Sequence, residues 1–327
     1  MRYKCEPGTI PKIQEKGIIS VIIPCYNAEK FIGRCLDSVI AQTIGLDYLE
    51  IIIVNDCSTD NTLEEINKYE QQYPQNICVI NLDENVGSGQ ARNIGLTYTN
   101  GEYITFVDAD DAVSKNMLEE LYLTANHFKC DYVDCEFEQF YEKIPDDPED
   151  DGIMYLDVIE NLDERRAFFL NNAFINAAWM RLFSRDFLVG NELLRFPPRT
   201  FMEDIYFFYL VIAKAKVVGH VPKKMYFYYQ NPEGIMLSDR FNNYYMDIHN
   251  VFAKAVEKYK ELGIFEYFKE ELAYVYYQKV FRYIVDYSKK EFGKVDTKNY
   301  ETLSNYMSGL TSDIHENKYY VLYGNQE

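Results

Sequence analysis

Four short runs of apolar, largely β-branched residues in the first third of the chain constrain its fold more than any other feature: Ile18 to Ile23, Leu49 to Val54, Ile77 to Leu82 and Tyr103 to Val107. A run that stays apolar at successive positions has no wet face. It reads as a strand buried on both sides, the situation of a parallel sheet covered by helices. The stretches between the runs, Glu29 to Ala41, Thr62 to Tyr69 and Gly89 to Thr97, carry helical patterns. Strand, helix and strand at this spacing predict a doubly wound α/β layout. Ligands in that layout sit beyond the carboxyl ends of the strands.

Beyond Val107 the regularity breaks. Ser114 reads as the cap of a helix running to Asn126, and Tyr132 to Tyr141 alternates like an edge strand. Pro145 to Gly152 is a solvated turn or loop, and Ala177 to Ser184 and Met225 to Gln230 are strand candidates in a mixed region. From Phe241 two apolar stripes take over. One passes through Tyr245, Ile248, Phe252, Ala255, Tyr259 and Leu262, the other through Phe268, Leu272, Tyr276, Val280, Ile284 and Tyr287. A chain of 327 residues suits two units. The expected division is 1–238 for an α/β binding and catalytic domain and 239–327 for a helical C-terminal unit. The latter reads as a small bundle, or as a surface for acceptor, oligomer or membrane contact.

A net charge of −19 excludes most nucleic-acid partners, which need clustered Lys and Arg. An acidic chain that binds an anionic nucleotide must supply positive charge locally, and a metal ion is the economical source. Seven cysteines without a CxxC pair suit a reducing compartment. The sequence shows no signal-like start and no apolar run near the ~20 residues of a spanning helix. The expected location is cytoplasmic, compatible with peripheral contact at the inner face of the cell membrane.

Residues able to do chemistry collect where the apolar runs end. The first ends in Ile23-Pro24-Cys25-Tyr26-Asn27, where Pro24 is expected to end the ladder and Tyr26 to stand at the ligand edge, stacking on a base or packing in a turn. In Val54-Asn55-Asp56-Cys57-Ser58-Thr59-Asp60, Asp60 reads as a helix-capping residue. Asp56 comes too early for that and is free to accept from a base N–H or a ribose hydroxyl. The segment Asn85 to Asn93 fails as a dinucleotide fingerprint because Arg92 stands at the third glycine position. Arg92 is left to contact a nucleotide, brace a carboxylate or form a plain ion pair. The last run opens into Asp108-Ala109-Asp110-Asp111, three carboxylates within four residues, which repel one another unless a cation sits among them. Asp111 reads equally as a turn or capping residue ahead of Ser114. Oxygen ligands of this kind suit Mg²⁺ or Mn²⁺ shared with phosphates. A second acidic pair, Glu203-Asp204, follows Thr200 in capping-box spacing. That gives Glu203 a structural task and leaves Asp204 as a candidate base.

In order and spacing, Ser20 to Asn27, Ile53 to Asp60, Asn85 to Asn93, Phe106 to Asp111 and Glu203-Asp204 resemble the family 2 glycosyltransferases of GT-A fold. The resemblance covers roughly residues 17 to 236. It implies an α/β GT-A domain with a mostly parallel sheet and an inverting enzyme that commonly uses a UDP-sugar. It further implies that Pro24, Tyr26 and Asp56 bind base and ribose, and that Asn85 and Arg92 border the nucleotide. Asp108 and Ala109 would lie at the ribose or metal shell, Asp110 would ligate Mn²⁺ or Mg²⁺, and Asp204 would be the catalytic base. Cys57 stands where glycine is frequent in the family, and Gly234 where serine is frequent in a donor-closing loop.

The expected reaction moves a sugar to a hydroxyl of a glycan or lipid-linked acceptor in bacterial surface-polysaccharide synthesis. The alternative is a non-catalytic nucleotide-sugar or glycan-binding protein on the same scaffold. A nucleotidyltransferase is disfavoured because no Gly-rich opening loop bearing Arg and Lys is present.

Overall fold

The computed structural model describes residues 2–5, 19–149, 152–173, 177–232, 234 and 244–323. Ile18, Phe241 and the expected boundary at 238/239 lie outside the described residues. The chain forms two compact units, Met1–Ile159 with Ala177–Arg199 and Ala215–Leu237, and Glu160–Asn176 with Thr200–Lys214 and Ser238–Glu327.

The first unit is α/β. Its strands are β1 (Arg2–Cys5), β2 (Ile19–Cys25), β3 (Leu49–Asn55), β4 (Ile77–Asn81), β5 (Tyr103–Phe106), β6 (Ala112–Val113), β7 (Tyr132–Phe140), β8 (Met154–Val158), β9 (Arg181–Ser184) and β10 (Val217–Tyr229). They form one mixed sheet in the order β1-β8-β10-β7-β9-β5-β2-β3-β4, with β6 paired to β10. The four apolar runs are the parallel part: β3 pairs with β2 and β4, and β2 with β5. From β5 outward the sheet turns antiparallel through β9 and β7; β10 then runs parallel to β7, and β8 antiparallel to β10.

Burial explains why these runs hold together. Ile19, Val21, Ile22 and Ile23 of β2 and Ile51, Ile53 and Val54 of β3 have no exposed surface. Each such side chain contributes roughly 1.5–3 kcal/mol. On this half lie α1 (Ile32–Ile40), α2 (Thr62–Gln72) and α3 (Ser88–Leu96), with α4 (Met117–Phe128) further along the chain. Helix α1 buries Ile32, Cys35, Leu36 and Val39, one face at helical spacing. Helix α3 rides so close on β2 that a Cβ at Gly95 would meet Ile22 Cγ2 at 2.6 Å. A short helix α6 (Arg185–Leu188) follows β9.

Three local expectations are corrected. Pro24 does not end the first strand; it pairs with Val54, and β2 continues to Cys25. Ile22 O faces β5, accepting from Val107 N at 3.1 Å, so two residues on the missing N–H of Pro24 points to the side where the β5 ladder has already stopped. Ser114 is not a helix cap: α4 starts at Met117, and the Ser114 hydroxyl bonds Asn116 Oδ1 at 2.9 Å. Strand β10 begins eight residues before Met225. Pro222-Lys223-Lys224 looks like a turn in sequence, but register shifts between Val221 and Tyr226 absorb it as bulges.

The second unit is helical, with α5 (Leu162–Asn172), α7 (Glu203–Lys214), α8 (Asp247–Glu261), α9 (Phe265–Tyr276), α10 (Arg282–Phe292), α11 (Thr297–Leu310) and α12 (Lys318–Tyr323). The second stripe steps by fours, and Phe268, Leu272, Tyr276, Val280 and Ile284 are all buried. Steps of four outrun a 3.6-residue turn, and a π-helical segment at Tyr277–Phe281, between α9 and α10, restores the phase. Helix α7 begins at Glu203, directly after Met202 with φ 58°. Thr200 therefore lies ahead of the helix rather than at its cap, and its hydroxyl accepts from Lys254 Nζ at 2.7 Å.

Candidate active site

Chain order in the parallel ladder runs from β2 to β3 and β4 on one side, then returns to β5 on the other. The switch point therefore falls between β2 and β5, and a crevice is expected beyond their carboxyl ends. The β2–β5 ladder stops at Ile22 and Phe106. The residues singled out after β2, β3, β4 and β5 follow at this edge.

Tyr26 is 52% exposed, so its side chain is accessible to a ligand. The next residue, Asn27, has φ 50°, and Cys57 after β3 has φ 58°. Both are left-handed, which explains why glycine suits the position of Cys57. A hydrogen-bond net holds these turns: Asn27 Oδ1 accepts from Thr59 N at 2.8 Å, and the Ser58 hydroxyl donates to Asn55 Oδ1 at 2.6 Å. Asp60 accepts from Thr62 N (3.0 Å) and Glu29 N (3.2 Å), a structural role.

Asp56 is 2% exposed, and its two carboxylate oxygens accept from Val86 N at 2.7 Å and Gly87 N at 2.8 Å. Asn85 Nδ2 donates to the Asp56 carbonyl at 3.1 Å. Asp56 thus ties the loop before α3 to the end of β3. Gly87, with φ 85° and open space where a Cβ would stand, serves the turn. Each Asp56 oxygen keeps a second lone pair for a ligand.

Arg92, projecting from α3, braces a carboxylate: its Nη2 lies 2.7 Å from Asp108 Oδ1, and its guanidinium packs over Phe196 at 5.3 Å. The loop Asp108–Asp111 is fixed from three directions. The Tyr226 hydroxyl of β10 accepts from Asp108 N (3.1 Å) and donates to Asp111 Oδ2 (2.6 Å). Asp111, fully buried, also accepts from Tyr229 N at 2.8 Å. Arg34 Nη2 of α1 donates to the Asp110 carbonyl at 2.5 Å, its guanidinium 4.4 Å from the Tyr229 ring and 4.8 Å from that of Phe140. Asn231 Nδ2 reaches Asp110 Oδ2 at 3.5 Å.

Burial, and then the neighbouring Asp108 charge, push the Asp110 carboxyl up to about 6. Asp111 is raised well above the carboxylate range, by burial first and by Asp110 and Asp108 after it. Ala109 is buried between them. Asp111 is thus committed to Tyr226 and Tyr229, which leaves Asp108 and Asp110 as the carboxylates for a ligand. Among the described residues no group of three or more His, Cys, Asp or Glu gathers as a metal cage. Two carboxylates that share a cation with phosphate oxygens and water are nevertheless the donor set of Mg²⁺-type sites, and Asp108 with Asp110 fit that set.

Tyr226 and Arg34 are the contributors sequence reading missed. Their partners stand 118 and 76 residues away, and no short motif spells such a contact. Asp204 belongs to the second unit, in the first turn of α7 beside the buried Glu203.

Comparison with known proteins agrees with this geometry. The family model described as glycosyl transferase family 2 matches residues 20–189. The uncharacterized glycosyltransferase YibD of Escherichia coli is 29% identical over 271 residues, 78% of this chain and 76% of that protein. The poly(ribitol-phosphate) beta-glucosyltransferase of Bacillus spizizenii is 43% identical over 105 residues, 32% of this chain but only 16% of that protein. Residues 1–349 of S. aureus TarS, solved in complex with UDP-GlcNAc, superpose with a TM-score of 0.66 at 21% identity, covering 90% of this chain and 81% of that one. At that identity the likeness establishes the fold, which is the GT-A architecture implied by the strand-end motifs.

Proposed function

Since this chain belongs to glycosyltransferase family 2, we propose that it is a metal-dependent, inverting transferase. It passes a hexosyl or N-acetylhexosaminyl group from a UDP-sugar to a hydroxyl of a glycan or lipid-linked acceptor in bacterial surface-polysaccharide assembly. The observation that carries the reading is the Asp108–Asp110 loop, locked by Tyr226, Arg92 and Arg34 at the switch point of the sheet. The likeness to TarS solved with UDP-GlcNAc supports the donor, and a poly(ribitol-phosphate) glucosyltransferase among the relatives supports the setting. Among the described residues no helix is long and apolar enough to cross a membrane. A nucleotide-sugar donor places the reaction on the cytoplasmic side, at the inner membrane face where the acceptor is lipid-linked.

In this reading Tyr26 stacks on the base, while Pro24 and Asp56 shape its slot and take its N–H groups. Asn85 and Arg92 border the nucleotide, and Asp108 and Ala109 lie at the ribose or the metal shell. Asp110 would hold Mg²⁺ or Mn²⁺, which supplies positive charge against the diphosphate when bound. Asp204 takes the proton of the acceptor hydroxyl as its oxygen bonds to the anomeric carbon. The bond from that carbon to the diphosphate oxygen breaks, and its electron pair leaves with UDP. One displacement without an enzyme nucleophile inverts the anomer.

The test is UDP release with acceptor present. Asp204→Asn should lower turnover by about 10²–10⁴-fold with donor affinity kept. Asp110→Ala should remove the metal-dependent part of UDP affinity. An Asp204→Asn enzyme as active as wild type would refute the base assignment.

A further inference from the structure

We propose that the second unit carries a glycan-binding site of its own, a cavity of about 630 Å³ between one face of α5 and the tyrosines of α9 and α12. This goes beyond the transfer reaction, because it requires a sugar chain to bind and no reaction to occur. Every residue used to argue it lies inside that unit.

Asp163, Arg166, Leu170 and Asn171 line the cavity from α5. Their spacing puts them on a single helical face. That face mixes charge, amide and aliphatic groups, so it is not an apolar stripe awaiting another helix. Opposite stand Tyr274 from α9 and Tyr319 and Tyr323 from α12, with the Tyr274 ring 6.1 Å from that of Tyr319 and 6.3 Å from that of Tyr323.

Behind the wall lies Glu271, which has no exposed surface. Its Oε1 accepts a hydrogen bond from the Tyr319 hydroxyl, and lies 3.2 Å from Arg166 Nε and 3.5 Å from Lys318 Nζ. Its Oε2 is buried and has no hydrogen-bond partner among the described residues. A single hidden carboxylate therefore fixes three lining side chains in advance, which lowers the ordering cost a ligand must meet.

The charges decide the ligand class. Arg166 and Lys318 are balanced by Glu271 and Asp163, so an anion meets no surplus positive charge. A wholly apolar ligand would strand Asp163, Asn171 and Arg166 from water without giving them partners. A neutral sugar satisfies both demands. Its C–H faces lie on tyrosine rings, and its hydroxyls both donate and accept, as Asp163 and Asn171 require. The volume falls in the ~300–1,000 Å³ range of small-ligand sites, enough for a short oligosaccharide.

The experiment applies the full chain, without donor or metal, to an array of neutral and acidic oligosaccharides. Calorimetry with the best binder follows, for wild type, Tyr323→Ala, Asn171→Ala and Asp110→Ala. Tyr323 is 51% exposed, so its replacement should not unfold the chain. Neutral glycans should bind, and Tyr323→Ala and Asn171→Ala should each weaken them by about ten-fold. Asp110→Ala should bind glycan like wild type; its UDP affinity, measured separately, tests the donor site and leaves this one untouched. Retention of no neutral glycan overturns the proposal, as does binding that ignores Tyr323→Ala. Val321 and Leu322 beside the cavity are 60% and 62% exposed. Capture by phosphatidylglycerol vesicles, lost in Leu322→Asp and unaccompanied by glycan binding, would make α12 a lipid contact and also overturn it.

Discussion

Each unit hides a carboxylate completely, and the two are held in opposite ways. Asp111 in the first and Glu271 in the second have no exposed surface. Asp111 receives neutral donors, the Tyr226 hydroxyl and Tyr229 N, and the charges nearest it are the carboxylates of Asp110 and Asp108. Glu271 sits against two cations, Arg166 and Lys318. For Asp111 the geometry of acceptance matters and the charge is dispensable. For Glu271 the charge is what balances its neighbours. The first unit uses its buried acid to fix a loop, and the second uses its own to fix the wall of a cavity.

Two probes separate the units. Trp179 is the single tryptophan and lies in the first, so its fluorescence follows the sheet. Helical circular dichroism is weighted toward the second. The largest stability effect is expected from Glu271→Ala. Stripping the partner from a fully buried pair costs about 3–5 kcal/mol. Arg166 and Lys318 are 24% and 47% exposed. Solvent screening of that degree reduces the figure to roughly 2–3 kcal/mol. The helix signal should melt several degrees earlier, while the tryptophan signal holds. If both probes shift together, the units unfold as one body and the contrast fails. Next comes Asp111→Ala, which orphans two buried donors at about 1–3 kcal/mol and loosens the Asp108–Asp110 loop. Metal-dependent UDP binding should weaken with it. Asp111→Asn keeps an acceptor oxygen without the charge and should recover most of that loss, whereas Glu271→Gln should recover little. Equal recovery in both would erase the distinction. Tyr226→Phe, removing one hydroxyl between Asp108 N and Asp111, should cost about 1 kcal/mol and lower UDP affinity in step.

The same contrast explains what the sequence could disclose. The parallel strands were legible because a strand buried on both faces must be apolar throughout. Asp56, Asp108 and Asp110 could be placed at the sheet's edge because they come within one or a few residues of such strands; Pro24 could not, since it lies inside β2. Adjacency alone does not sort the acidic run. Asp111 belongs to the same acidic run but turns to Tyr226 and Tyr229, and only the β10 register shows it. Pro222 hid the first half of β10 because a bulge and a turn read alike. The cavity of the second unit had no local spelling at all, since it joins α5 to α12 across about 150 residues of chain. Its tyrosines, Tyr274, Tyr319 and Tyr323, fall outside both apolar stripes.

The smallest expected effect is a pH dependence confined to the second unit. His249 on α8 is 7% exposed, with Nδ1 2.9 Å from the Tyr276 hydroxyl and the Tyr306 ring edge-on at 5.0 Å. Burial holds its pKa below the ordinary 6.5. Below 6.5 the unfolded chain takes up a proton that the folded unit resists, so the unfolded state binds more protons there. The contribution of this residue is complete above that value and declines as pH falls toward the folded pKa. Stability read from the helix signal should therefore be lower by up to ~1 kcal/mol at about pH 5.5 than at about pH 7.5. His249→Gln keeps a polar partner for Tyr276 and cannot charge, so the gap between the two pH values should narrow in that variant. A gap of the same size in both proteins would assign the acid sensitivity to other groups and remove His249 from the comparison.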